Sequence, residues 1–183
     1  MKTIFRNKTF RDVLAIVVIA GVVILGLQFT VQKFVVDGPS MNNTLHDGQQ
    51  ILVSKIVYKF HEPERGDIVV FRSPDGYEED YIKRIIGLPG ETVEIKQGIV
   101  YIYKEDGLVL TLDETYVTKQ SLNLFKGNQI PENEYFVMGD NRLNSRDSRN
   151  GWTLPRESII GKAWLSVWPP GDWGLVANHS FEE

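Results

Sequence analysis

The chain has 183 residues, of which 42% are hydrophobic and 24% are charged, proportions that are ordinary for a globular protein with one main domain. Its net charge of -4 argues against nucleic acid as the main partner, because nucleic-acid-binding domains carry a basic surface. The absence of cysteine excludes a disulfide framework, a thiolate nucleophile and a cysteine-ligated zinc site.

The first predicted element is an apolar helix near the N-terminus. Residues 13–31 carry no ionised group, and a helix of this length measures about 28 Å, close to the hydrocarbon thickness of a bilayer. Lys33 alone follows this run closely, whereas several basic residues precede it: Lys2, Arg6, Lys8 and Arg11. The asymmetry predicts a cytoplasmic N-terminus (residues 1–12), a transmembrane anchor (13–34) and an extracytoplasmic domain (35–183), with lipid as a partner and the plasma membrane as the location.

Two other interpretations of this segment are open. A cleaved secretory signal typically has an apolar run of about 7 to 15 residues and ends in a small-x-small site. Residues 29–33 offer no such site. A buried core helix of a soluble protein is the second interpretation, but the uncharged length and the flanking charges favour the membrane anchor.

Beyond residue 35 the sequence predicts strands. Runs rich in β-branched and aromatic residues alternate with Pro, Gly and Asp turns, and helical periodicity is absent. The predicted strands are residues 51–58, 67–71, 81–86, 92–95, 99–103, 135–138 and 159–168. Residues 105–132 are more polar, and we expect a small inserted β excursion there. The predicted fold class is mainly β, with a transmembrane helix followed by an antiparallel sheet or barrel-like domain.

One serine and one lysine are candidates for chemistry. Taken singly, Ser40 in a Gly-Pro-Ser-Met turn is an ordinary surface serine, and Lys83 is an ordinary strand lysine. A lysine activates a serine only when burial depresses its pKa, because its amine is otherwise protonated at neutral pH. Lys83 shares its predicted strand face with Tyr81 and Ile85, and this setting favours the neutral amine.

Four motifs give these two residues a context. In chain order they read Ser-Met-Asn-Asn-Thr-Leu from Ser40, Arg-Gly-Asp-Ile-Val-Val-Phe from Arg65, Tyr-Ile-Lys-Arg-Ile-Ile-Gly-Leu-Pro-Gly-Glu from Tyr81, and Gly-Asp-Asn-Arg-Leu-Asn-Ser-Arg-Asp-Ser-Arg from Gly139. This ordered set resembles the bacterial type I signal peptidases, in the single-anchor form of Gram-positive species. The resemblance covers the anchor and nearly all of residues 35–170.

The resemblance implies a membrane-bound serine endopeptidase that removes signal peptides from exported preproteins after small residues. It implies that Ser40 is the nucleophile and Lys83 the general base, that Ser145 positions the lysine, and that the Ser40 backbone N–H stabilises the oxyanion. It places the enzyme near the export machinery. No cofactor or metal is predicted, because the three histidines, His46, His61 and His179, show no paired spacing typical of a metal site. The supporting residues that the resemblance implies are Arg84, Asp140, Arg142, Asp147 and Arg149.

Two positions depart from the family pattern. Gly38 stands where some members carry a hydroxyl that adds a second oxyanion donor, so this donor is not identified. Asn43 stands in place of the proline of Ser-Met-x-Pro-Thr-Leu. If the backbone at Asn43 has a proline-compatible φ, Asn43→Pro stabilises the fold; if it does not, the same change destabilises it.

Two other functions are compatible with parts of the sequence. Self-cleaving repressors also use a serine nucleophile with a lysine base, but they carry a DNA-binding domain in place of a membrane span. A catalytically silent, membrane-anchored β domain that binds exported peptides is the other alternative. Retention of Ser40, Lys83 and Ser145 favours the enzyme.

Overall fold

The structure is a computed structural model that describes residues 8–181. Helix α1 spans Lys8–Thr30. The strands that follow are β1 Val31–Val35, β2 Gln50–Ser54, β3 Ile68–Arg72, β4 Asp80–Gly87, β5 Thr92–Lys96, β6 Ile99–Tyr103, β7 Val109–Thr111, β8 Phe125–Gln129, β9 Glu134–Met138, β10 Leu154–Pro155, β11 Ile159–Trp168 and β12 Gly174–Leu175. Most of the predicted cytoplasmic segment, residues 1–7, lies outside the described residues.

Helix α1 exposes large apolar side chains, among them Ile16, Val17 and Val22. The helix ends at Thr30 because the chain then pairs with β2 as strand β1, with Val31 opposite Ser54. Residues 31–34, which were predicted within the anchor, therefore lie in a sheet. Among the described residues, no helix combines the length and the apolar character that a membrane crossing requires. The predicted transmembrane helix is thus not confirmed.

Two antiparallel sheets make up the rest of the fold, which confirms the mainly β prediction. The larger sheet has the order β1-β2-β11-β3-β4-β9-β10, and β12 pairs with β11. Its path ends at two different edge strands, β1 and β10, so within the described residues this sheet is open, whereas a barrel-like form was predicted. The smaller sheet has the order β7-β6-β5-β8. Strands β7 and β8 come from residues 105–132, which were predicted to form a β excursion.

The predicted strands agree with the observed ones to within one residue at each end, with one exception. The prediction of residues 51–58 is too long, because β2 ends at Ser54 and a short 3-10 helix follows at Val57–Lys59. Beyond Ser54 the neighbouring chain is helix α1, which offers no strand for pairing. No strand was predicted for β1, β10 and β12, whereas β7 and β8 lie in the predicted excursion.

The larger sheet brings together the three chain segments that carry the candidate residues. The loop between β1 and β2 contains Ser40, and its buried Met41 and Leu45 pack into the sheet core with Val53 and Ile68. Strand β4 carries Lys83, and the loop that follows β9, residues 139–149, runs beside it. Below, residues 36–49 are called the nucleophile loop and residues 139–149 the catalytic loop.

Candidate active site

The nucleophile loop is a tight turn fixed by its own main chain. The Asn42 N–H donates to the carbonyl of Pro39 at 3.0 Å, and the N–H of Leu45 donates to the carbonyl of Met41 at 2.9 Å. Met41 is fully buried, so this side chain anchors the turn from below. Ser40, which precedes it, is half-buried and borders a cleft.

Ser40 and Lys83 meet as the resemblance implied. The distance from Lys83 Nζ to Ser40 Oγ is 2.8 Å, and Lys83 Nζ also donates to the carbonyl of Ile82 at 2.8 Å. Strand β4 is flanked by β3 and β9, and Lys83 is only 4% exposed. The Tyr81 ring lies on the predicted side, with its centroid 5.3 Å from Nζ.

Burial lowers the pKa of Lys83 from 10.5 to about 8, while Asp147 and Asp140 raise it and so oppose part of the effect. Desolvation penalises the charged ammonium, and a buried lysine therefore becomes neutral at a lower pH. The neutral amine has a lone pair that can accept the hydroxyl proton of Ser40. Both carboxylates belong to the catalytic loop. The sequence analysis considered only the neighbours of Lys83 within its own strand, so it did not predict the effect of these carboxylates on the pKa.

A cleft of about 430 Å³ opens beside the two side chains. Its apolar lining includes Phe34, Val36, Ile51, Val70 and Ile82. Pockets with an apolar lining and a few polar groups are typical ligand sites. The cleft therefore can hold a small apolar side chain next to the Ser40 hydroxyl.

The catalytic loop holds the backbone of the nucleophile loop directly. The Asn141 N–H donates to the Ser40 carbonyl at 3.0 Å, and Asn141 Nδ2 donates to the Pro39 carbonyl at 3.1 Å. These bonds fix the peptide on each side of the serine. The Ser40 N–H donates to none of the described residues, which leaves it available to an oxyanion.

A buried ion pair joins β4 to both loops. Arg84 donates to Asp140 through Nε at 2.9 Å and Nη2 at 2.7 Å, and both residues are almost fully buried. The Thr44 hydroxyl donates to the same carboxylate. Asp140 thus ties the nucleophile loop to the strand that carries Lys83.

Asp147 stabilises the far end of the catalytic loop. It accepts hydrogen bonds from the Gly139 N–H at 3.0 Å and from Arg149 Nε at 2.8 Å, and it caps the 3-10 helix Ser148–Asn150. Arg142, at the centre of the loop, forms a bidentate ion pair with Glu114. Glu114 lies in the excursion and was not predicted, because a single acidic residue in an irregular polar segment carries no distinctive signal.

The positioning role predicted for Ser145 stays a prediction. Its Oγ is buried without a hydrogen-bond partner among the described residues, so it does not bond to the Lys83 amine. Ser145 instead packs against Gly139, where an added Cβ would overlap both Ser145 Oγ and the Ser40 carbonyl oxygen. The catalytic loop approaches the nucleophile loop so closely here that only glycine fits at position 139.

The two departures from the family pattern have definite conformations. Gly38 has a φ of +80°, and its N–H donates to Asp47 Oδ1 at 2.8 Å. No side-chain hydroxyl exists at that position, so a second oxyanion donor is not identified. Asn43 also has a φ of +80°, in the left-handed region that proline cannot enter.

We therefore expect Asn43→Pro to destabilise the fold by more than about 1 kcal/mol, because the proline ring fixes φ near the opposite sign. The measurement is the melting temperature of the variant beside the unmodified protein. Asn43→Gly is the matched control and should melt near the original temperature, since glycine adopts positive φ without strain. A melting temperature that rises in Asn43→Pro would show that the loop has the family's proline-compatible backbone.

The chain is similar in sequence to proteins of one family. The family model described as Signal peptidase, peptidase S26 matches residues 9–168. Probable signal peptidase I-1 of Synechocystis is 37% identical over 93% of this chain and 89% of its own length. Signal peptidase I of Bacillus amyloliquefaciens is 41% identical over 85% of this chain and 83% of its own. A crystal structure of a signal peptidase I from Enterococcus faecalis shares 34% identity, with a TM-score of 0.48, over 56% of this chain and 97% of that one.

Proposed function

This chain belongs to the signal peptidase family, peptidase S26, and from that membership we propose that Ser40 and Lys83 are the nucleophile and base with which it cleaves signal peptides from exported preproteins. The observation that carries the assignment is the 2.8 Å distance between Lys83 Nζ and Ser40 Oγ. The chain is a serine endopeptidase of the signal peptidase I type. The depressed pKa of Lys83 supports its assignment as the base.

In the proposed reaction, neutral Lys83 Nζ accepts the proton of Ser40 Oγ as this oxygen attacks the scissile carbonyl. The Ser40 N–H donates a hydrogen bond to the oxyanion that forms. The Lys83 ammonium then protonates the leaving amine, and the mature protein departs from an acyl-enzyme. Water, deprotonated by the same amine, attacks the ester; the signal peptide leaves as a carboxylic acid, and Ser40 recovers its proton.

For the residue before the cut we propose a small side chain, as in an A-x-A-like site, and the cleft beside Ser40 is where this side chain would bind. The cleft has a volume of about 430 Å³, its lining includes apolar side chains, and it borders Ser40 directly.

The membrane location and the division of the chain are also proposals. The uncharged run of residues 13–31, the basic residues before it and the exposed apolar side chains of α1 support lipid contact at the plasma membrane. In this arrangement residues 1–12 are cytoplasmic, the helical residues 13–30 of the predicted anchor contact lipid, and residues 35–183 act outside, near the export machinery. Ser40 lies ten residues past the end of the helix at Thr30, a distance of about 35 Å at most in extended chain, so cleavage takes place close to the bilayer.

The catalytically silent alternative has one feature in its favour, the left-handed Asn43 beside the nucleophile turn. The hydrogen-bonded pair of Ser40 and Lys83 supports the active enzyme instead. A silent domain has no need to bury a lysine against a serine hydroxyl, because burial of an amine costs free energy.

The test is incubation of the full chain in detergent with a preprotein that carries an A-x-A site. We expect mass spectrometry to show one cut directly after this site. The matched control is the same preprotein with leucine in place of the alanine before the cut, which should stay intact. An intact A-x-A preprotein after incubation with folded protein would support the silent domain.

A further inference from the structure

A segment that follows strand β7 of the small sheet packs against the larger sheet. We call this segment, residues 112–118, the strap. It begins directly after β7, where buried Leu112 packs in the core of the small sheet and its N–H donates to the Val100 carbonyl at 3.0 Å. Three of its side chains then contact three separate parts of the active site.

Glu114 makes the strongest of these contacts. Its carboxylate accepts two hydrogen bonds from the Arg142 guanidinium, and both side chains are 2% exposed. Arg142 also donates through Nε to the Gly139 carbonyl at 3.2 Å, and its own carbonyl accepts from Arg149 Nη1 at 2.8 Å. A bidentate pair constrains orientation as well as distance. Glu114 thus fixes the centre of the catalytic loop from outside that loop.

Tyr116 makes the second contact, against strand β4. Its ring centroid lies 4.1 Å from Arg84 Cζ, and its hydroxyl donates to Glu114 at 2.8 Å. Arg84 is the neighbour of Lys83 in β4 and the partner of Asp140. The strap therefore covers the ion pair that joins the base-carrying strand to the catalytic loop.

Thr118 makes the third contact, with the nucleophile loop itself. Asn43 Nδ2 donates to Thr118 Oγ1 at 2.9 Å. Asn43 has a positive φ, so its backbone does not restrict the loop as a proline would. The side-chain bond to the strap supplies a restraint at this position.

We propose that the strap positions the catalytic groups, with Glu114 as the principal positioning residue, acting through Arg142 on the catalytic loop. The inference rests on the proposed function, because it concerns the geometry of Ser40 and Lys83. The catalytic loop holds the Ser40 carbonyl through Asn141, so a displacement at Arg142 reaches the nucleophile through one hydrogen bond. Misplacement of about 1 Å from a distant change is enough to lower a rate about 100-fold.

The test compares Glu114→Gln with Glu94→Gln. Glu94 lies in strand β5 of the small sheet and Glu114 in the excursion, and each is 7% exposed as a whole residue. Glu94 contacts Tyr103 and Lys96 within the small sheet, whereas Glu114 reaches the catalytic loop. We expect Glu114→Gln to lower kcat about tenfold or more, with KM changed less than about threefold, and Glu94→Gln to keep the original kcat.

Measurements are made on folded protein well below each melting temperature, so lost stability alone does not lower kcat. An unchanged kcat in Glu114→Gln, or an equal fall in both variants, overturns the proposal. Ser40→Ala is measured in the same series. If that variant cleaves as fast as the original enzyme, the proposed function fails, whatever Glu114→Gln shows.

A second pair of variants decides the matter if Glu114→Gln does not fold. Thr118→Val removes the exposed bond to Asn43, and Thr118→Ser keeps its hydroxyl. We expect Thr118→Val to lower kcat about threefold, Thr118→Ser to retain it, and Asn43→Gly, which keeps the positive φ without strain, to add nothing to Thr118→Val. Equal kcat values for the two Thr118 variants overturn the proposal.

Discussion

Replacement of Ser40 by alanine is expected to lower kcat/KM for a preprotein by about 10⁴-fold or more while the protein remains folded. The Ser40 hydroxyl contacts Lys83 Nζ, and the amine keeps its bond to the Ile82 carbonyl when the hydroxyl is removed. The melting temperature should therefore change little. The measurement is single-turnover cleavage, with circular dichroism to confirm the fold.

Lys83→Ala should be similarly damaging, and the double variant no worse than either single one. A nucleophile and its base act as one unit, so their losses do not add. Additive losses, or substantial activity in either folded variant, would mean that these two residues do not form the dyad.

Lys83→Arg is expected to abolish cleavage as completely as alanine does. A guanidinium stays protonated at every working pH and cannot accept the Ser40 proton. Its bulk must also fit where the lysine is only 4% exposed, so circular dichroism is needed to show that the variant folds.

Lys96→Arg is the matched control for this change. Lys96 lies in strand β5, its side chain is 49% exposed, and it pairs with Glu94 in the small sheet. Arginine can form the same pair, so kcat should be unchanged. A folded Lys83→Arg variant that keeps a tenth or more of the activity would remove Lys83 as the base.

The strands and the pairing of Ser40 with Lys83 could be predicted from the sequence. Strand β4 is rich in β-branched and aromatic residues, which predict a strand, and the motif from Tyr81 places the lysine within it. The motif from Gly139 similarly identified Asp140 and Asp147. In the structure these acids line the loop beside Lys83, and both raise its pKa against the effect of burial.

Contacts between distant segments could not be predicted in the same way. Glu114 and Arg142 are separated by 28 residues, and nothing in either local pattern indicates a bidentate pair. The φ of Asn43 depends on how the nucleophile turn packs, since asparagine is compatible with both signs. The resemblance implied that Ser145 positions Lys83, and the local sequence does not show that Ser145 packs against Gly139.

The extent of the N-terminal helix shows a third kind of limit. The apolar residues Val31 and Phe34 follow Thr30 closely in the sequence. A prediction based on apolar residues alone therefore extends the anchor to residue 34, beyond the end of the helix. The chain changes to strand β1 because β2 offers it a hydrogen-bonded neighbour, with Phe34 opposite Ile51. Such a partner is visible only when both segments are placed together.

The pH dependence of kcat/KM for a peptide with an A-x-A site tests most directly whether neutral Lys83 activates Ser40. Burial brings the pKa of Lys83 down from 10.5 to about 8, so the neutral base accumulates as pH rises through about 8. The account predicts a tenfold rise per pH unit below that value and a plateau above it. A rate that is independent of pH between about 6 and 9, or that rises only near the ordinary lysine pKa of 10.5, would contradict it.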